Sequence, residues 1–231
     1  AQIRPSMKAC DSDGLSDNEW EDRGDLAWNE FDWEKYHRDQ DENILRYLAY
    51  YDTFKDSADR IDEIAERMGW DQAARAVEEA DEEDADESDD DADGDEVYTL
   101  HKNPIFIATK ALSLSLRRQW LVLIANRDSL PAGAAMAYLD ALHRGEEVAM
   151  QAIHALDFGD YAMAIALFKR ALRAWNQSLA LLDRTATDKS SALVAYRQDA
   201  RQRLFDLREI WLRVIAECRT ELDRPVDEEN G

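Results

Sequence analysis

Residues 161–182, YAMAIALFKRALRAWNQSLALL, decide the fold. Tyr161, Ile165, Phe168, Leu172, Trp175, Leu179 and Leu182 recur at alternating intervals of four and three. Those intervals return successive side chains to one side of a 3.6-residue turn, so the stretch predicts a helix with an unbroken apolar seam. A single seam must be buried against something similar. The neighbouring sequence supplies it.

Upstream, Asn103-Pro104 reads as an N-cap followed by Pro at the first helical position, opening a helix to about Arg127. A second helical pattern runs from about Pro131 to Asp157, with Ala135, Leu139, Leu142, Ala149, Ile153 and Leu156 on one stripe. Downstream, a pattern from about Lys189 to Leu222 carries Ala200, Leu204, Leu207, Trp211, Val214 and Cys218. Short connections make successive helices antiparallel. Residues 97–224 therefore read as an up-down antiparallel bundle of four long helices, with a flexible tail over 225–231. No alternating strand pattern occurs anywhere, and the fold class is all-α.

The first 96 residues are organised differently. They hold 34 acids against 10 bases, whereas residues 97–231 hold 17 against 18. Tyr47, Tyr51, Phe54, Ala58, Ile61, Ala65 and Met68 again recur at intervals of four and three, predicting a helix from about Asp41 that Gly69 can cap. Asp71 can cap a shorter helix over 72–80. Residues 41–80 thus add one or two N-terminal helices packed on the bundle. Glu78–Glu96 contains 14 acids and no base in 19 residues. Self-repulsion makes such a block a solvated loop, placed over 81–96. Residues 1–40 show no sustained period and read as an extended acidic arm with some helical turns.

Composition removes several classes of function. A net charge of −23 disfavours nucleic acid and anionic membrane as partners. The longest strongly apolar run, Trp120–Ala125, is far too short to span a bilayer. Cys10 and Cys218 form neither a disulfide framework nor a zinc pattern, and no charged-then-apolar leader opens the chain, so a cytoplasmic setting is expected. No Gly-x-Ser-x-Gly elbow and no Gly-rich phosphate loop is present. No cofactor and no catalytic residue is assigned.

Gly159-Asp160-Tyr161, Ala164-Ile165, Phe168 and Ala171-Leu172 resemble the second helix of a tetratricopeptide repeat. The resemblance covers one unit of roughly 34 residues. The preceding helix departs from the family, with Val148, Gln151, Ala152 and Ala155 at its signature positions. The resemblance implies one repeat-like helix pair within the bundle, and protein binding rather than catalysis.

Carboxylate-bridged helical bundles hold their metal ions with a Glu-x-x-His pattern. Glu34-x-x-His37 matches it in the arm, and Asp140-x-x-His143 with Glu147 matches it loosely on the second bundle helix. Residues 104–127 and 161–182 contain no Asp, Glu or His, so those helices offer no further ligand. His143, Glu146 and Glu147 then read as a solvated face. Lys110, Arg117, Arg118, Lys169, Arg170 and Arg173 read as ordinary polar faces, or as a positive surface that receives an acidic segment.

Residues 27–37, AWNEFDWEKYH, set Trp28, Phe31, Trp33, Tyr36 and His37 among acids, with Trp20 a short way upstream. Exposed Trp clusters invite aggregation. Trp20, Trp28, Phe31, Trp33 and Tyr36 are therefore interaction candidates, docking either on the chain's own bundle or on another protein. The chain reads first as a non-enzymatic interaction, scaffold or regulatory protein. The alternatives are a helical enzyme or metal-binding protein nucleated by Asp140, His143 and Glu147, and an acidic mimic of nucleic acid. One test follows from the charge layout. Deleting residues 82–93 should leave the helical circular dichroism spectrum and solubility unchanged, because the segment has no large apolar side chain to bury. Loss of folded protein would make the block structural.

Overall fold

The structure is a computed structural model that describes residues 28–70, 103–125, 130–185 and 190–224. Trp20, Cys10, the helix expected over 72–80, the acidic block and the tail lie outside the described residues. The chain is all-α. Its helices are α1 (Glu30–Phe54), α2 (Arg60–Met68), α3 (Pro104–Ala125), α4 (Ala132–Asp157), α5 (Tyr161–Arg184) and α6 (Ser191–Asp223), and no strand occurs among the described residues. The chain divides into two units, Ala1–Arg38 and Asp39–Gly231.

In the first unit, α1 begins at Glu30, well before Asp41, where the sequence predicts a helix to start. The cause is local. Asn29 Oδ1 accepts from the backbone N–H groups of Phe31 at 2.8 Å and Asp32 at 3.2 Å, and the Asp32 carboxylate accepts from the Asn29 N–H at 3.0 Å. Two otherwise orphaned ends of the first turn are satisfied reciprocally. Residues 30–40, expected as an extended arm with some helical turns, are thus continuously helical.

In the second unit, the stripe from Tyr47 to Met68 is not one helix. α1 stops at Phe54 and α2 starts at Arg60. Ser57 N–H closes the turn on Phe54 O, while Ser57 Oγ accepts from the Asp59 N–H and donates to Glu63. Short polar side chains offer the backbone this alternative to helix, and an apolar period does not register it. Gly69 caps α2 in the left-handed region, at φ 78°, as its position predicts.

The caps of the long helices follow the sequence. Asn103 Oδ1 accepts from Ile105 and Phe106 N–H at the start of α3. Gly159, at φ 70°, turns α4 into α5. Its N–H reaches Leu156 O, the Asp160 N–H reaches Ala155 O, and the Asp160 carboxylate caps Met163 N–H at 2.9 Å. This paired C-terminal and N-terminal cap explains why so short a connection suffices.

Each long helix packs on two others, α3 on α4 and α6, and α5 on α4 and α6. Three fully buried tryptophans mark these contacts. Trp120 of α3 donates its indole N–H to Ala135 O of α4, Trp175 of α5 to Leu204 O of α6, and Trp211 of α6 to Thr109 Oγ1 of α3, each within 3.1 Å. Tyr196 of α6 donates to Leu116 O of α3 and meets Tyr138 of α4, hydroxyl to hydroxyl, at 3.0 Å. Along α3 and α6, Leu116 meets Tyr196 and Thr109 meets Trp211, so these two helices run in opposite directions.

α5 presses Trp175 against α4 at Gly145. A Cβ there would stand 2.6 Å from Cε3 of Trp175, inside any real contact. Gly145→Ala should cost about 1–3 kcal/mol, the usual penalty of overpacking. Gly133→Ala in the same helix meets nothing within 4 Å and should be neutral or stabilising. Thermal melts of the two variants check the notch, and equal midpoints would remove it.

Candidate interaction surface

The residues singled out for metal chemistry do not assemble. Asp140 is exposed and pairs with Arg144 one turn along α4, and Glu34 pairs with Arg38. His143 and Glu147 are exposed. Among the described residues no three His, Cys, Asp or Glu side chains are placed to hold a metal ion.

Glu146 corrects the expectation of a solvated face. It is only 3% exposed and points into α3, where Lys110 Nζ lies 3.0 Å from one carboxylate oxygen and Arg117 Nη1 lies 3.1 Å from the other. Lys110 and Arg117 are two helical turns apart, so one glutamate on the facing helix can bridge them. Part of the expected positive surface therefore receives an acid from within the core itself. Arg118, Lys169, Arg170 and Arg173 remain exposed.

A second polar cluster, which the apolar periods gave no sign of, ties α1 and α2 to α6. Asp206 is buried and accepts from Tyr51 Oη and from Arg60 through both Nε and Nη2. Arg203, also buried, pairs with Asp199 at 2.7 Å and Asp52 at 2.8 Å, with its guanidinium 4.6 Å from the centre of the Tyr51 ring. Burial, and then the hydrogen bond to Asp206, hold the Tyr51 phenol far above its ordinary range. Burial does the same for Tyr47 and Tyr138. Raised phenols keep their protons at neutral pH, and Tyr51 and Tyr138 donate theirs to Asp206 and the Tyr196 hydroxyl.

Most aromatics of residues 28–37 pack on one another. Trp28, Trp33 and Tyr36 form a mutual cluster, with ring centroids 4.9, 5.4 and 5.8 Å apart, and His37 adjoins Trp33 and Tyr36. Phe31 makes no ring contact among the described residues and is 75% exposed, and Trp33 is 50% exposed. Glu30, Asp32 and Glu34 between them are exposed too. Phe31 and Trp33 are expected to be covered by the bundle or by a partner, and among the described residues neither is buried. The helical start turns Phe31 away from the Trp28–Trp33–Tyr36 side.

An open groove of about 490 Å3 runs between α3 and α6, lined by Val122, Leu123, Ala192, Ala195 and Tyr196, with Arg118, Gln119 and Asp199 as its polar members. Its accessible lining is mostly apolar. No helix among the described residues is long and apolar enough to cross a membrane. No protein-family model, curated protein or solved structure matches the chain.

Cys218 lies buried in the core with no disulfide partner among the described residues. Burial first, then the nearby Glu217 carboxylate, pushes its thiol above the ordinary value, the reverse of what a nucleophile requires. In a Cys10→Ser chain at pH 8, Cys218 should therefore react with an aromatic disulfide far more slowly than it does in urea. Equal rates in both would show an accessible, activated thiol.

Proposed function

We propose that the chain is a non-enzymatic interaction protein, in which a helical core presents an aromatic helix start to a protein partner. One contrast carries this reading. Trp120, Trp175 and Trp211 are wholly buried with their indole N–H groups satisfied, whereas Phe31 and Trp33 stand exposed among exposed carboxylates. Large aromatics concentrate binding energy when a partner covers them, and flanking charge steers the encounter and selects the partner. The tetratricopeptide-like residues of the α4–α5 turn agree with a protein-binding role. The two cysteines suit a reduced, cytoplasmic setting.

The Phe31→Ala, Trp33→Ala double variant tests it. Exposed truncations cost below about 1 kcal/mol, so its melting temperature should stay within a few degrees of the parent. A photo-crosslinking residue at position 31 should capture a defined partner in the parent context. With Trp33→Ala added, that capture should be lost. Undiminished capture after the Trp33 change would overturn the proposal.

A further inference from the structure

α6 presents two neighbouring faces. Ala200, Leu204, Leu207, Trp211 and Val214 recur at intervals of four and three, and all are buried. Asp199, Arg203, Asp206, Ile210 and Arg213 recur at the same intervals, offset by one residue. One residue is about 100° around a helix. The first face is an apolar seam. The second is charged at four of its five positions, and it is where α1 and α2 sit.

The attachment on that second face is largely polar. Tyr51 and Arg60 meet at Asp206, Asp52 meets Arg203, and Asp62 meets Arg213. Gln202 Nε2 donates to the carbonyl of Lys55 in the turn between α1 and α2. The fully buried apolar share of α1 and α2 is Ile44, Tyr47, Tyr51 and Ile64, with Leu48, Tyr50, Phe54 and Met68 partly buried against the core, while α3–α6 bury three tryptophans and most of the remaining core. Ion pairs taken out of water gain little net stability, because desolvation opposes the attraction. The docked arrangement also carries an unmet demand: Arg203 Nη1 is buried and has no acceptor among the described residues. Water would satisfy it once the pair lifted away.

We propose that residues 39–68 of α1 and α2 form a releasable cover, which opens as a unit from the charged face of α6 while α3–α6 stay folded. Local openings of this kind belong to segments with few apolar contacts, and they proceed at a lower free energy than global unfolding. The cover buries Arg203 and Asp206 and engages the exposed Arg213 through Asp62, and opening frees these groups, with Asp199 beside them, as one charged stripe.

Hydrogen exchange of the full chain, followed by mass spectrometry across a urea series, tests the cover directly. Amides of 44–54 and 60–68 should exchange at least tenfold faster than those of 164–182 and 204–218, and with a weaker dependence on urea. Asp206→Asn keeps the shape of the side chain and removes its charge. It should speed exchange in 44–68 at least tenfold and leave 164–182 unchanged. A single urea dependence shared by both sets of amides in the parent chain would overturn the proposal, whatever the variant does. So would equal acceleration of both sets by Asp206→Asn in a folded variant.

Discussion

An indole buried in a protein carries one N–H that must find an acceptor, and the interior of this molecule is arranged around that requirement. Trp120, Trp175 and Trp211 each solve it on a different neighbouring helix. A rotation of any one of these helices by a single residue would leave a donor stranded where water does not reach. The bulk of the rings supplies the apolar burial, and the N–H groups fix the register in which it is made. The Tyr138–Tyr196–Leu116 chain repeats the device with hydroxyls at the α3–α4–α6 meeting point.

Charge is used in the same interior with equal economy. Glu146 faces Lys110 and Arg117 across the α3–α4 contact, so two of the three cations on α3 share one buried acid. α6 takes the opposite course and gathers Asp199, Arg203, Asp206 and Arg213 on one side. The helix is amphipathic twice over. One apolar stripe holds the core and one charged stripe holds the N-terminal pair.

Much of the architecture was legible in the sequence because it rests on local rules. The four long helices follow from apolar recurrence, and Asn103, Gly159 and Gly69 stand where capping places them. What stayed hidden depends on chemistry that apolar recurrence ignores. The reciprocal Asn29–Asp32 cap starts α1 inside a stretch with no apolar period. Ser57 and Asp59 break the following stripe without disturbing its spacing. Glu146 looks like its exposed neighbours His143 and Glu147 until the facing helix is known. Asp206 and Arg203 depend on partners about 150 residues away in the chain, which no local pattern can name. The aromatic stretch was visible as composition, but the exposure of Phe31 and Trp33 follows from a helix start that the aromatics themselves do not encode.

The notch at Gly145 also has a meaning for how this sequence can change over evolutionary time. Because a methyl group at 145 would strike the ring of Trp175, the two positions are one unit of variation. A chain that loses the glycine must also shrink or move the indole, and Trp175 holds Leu204 on α6. Drift at a single α4 position is therefore transmitted through α5 to α6. Relatives of this chain should show 145 small wherever 175 is Trp, and should admit larger residues at 145 only alongside a slimmer side chain at 175.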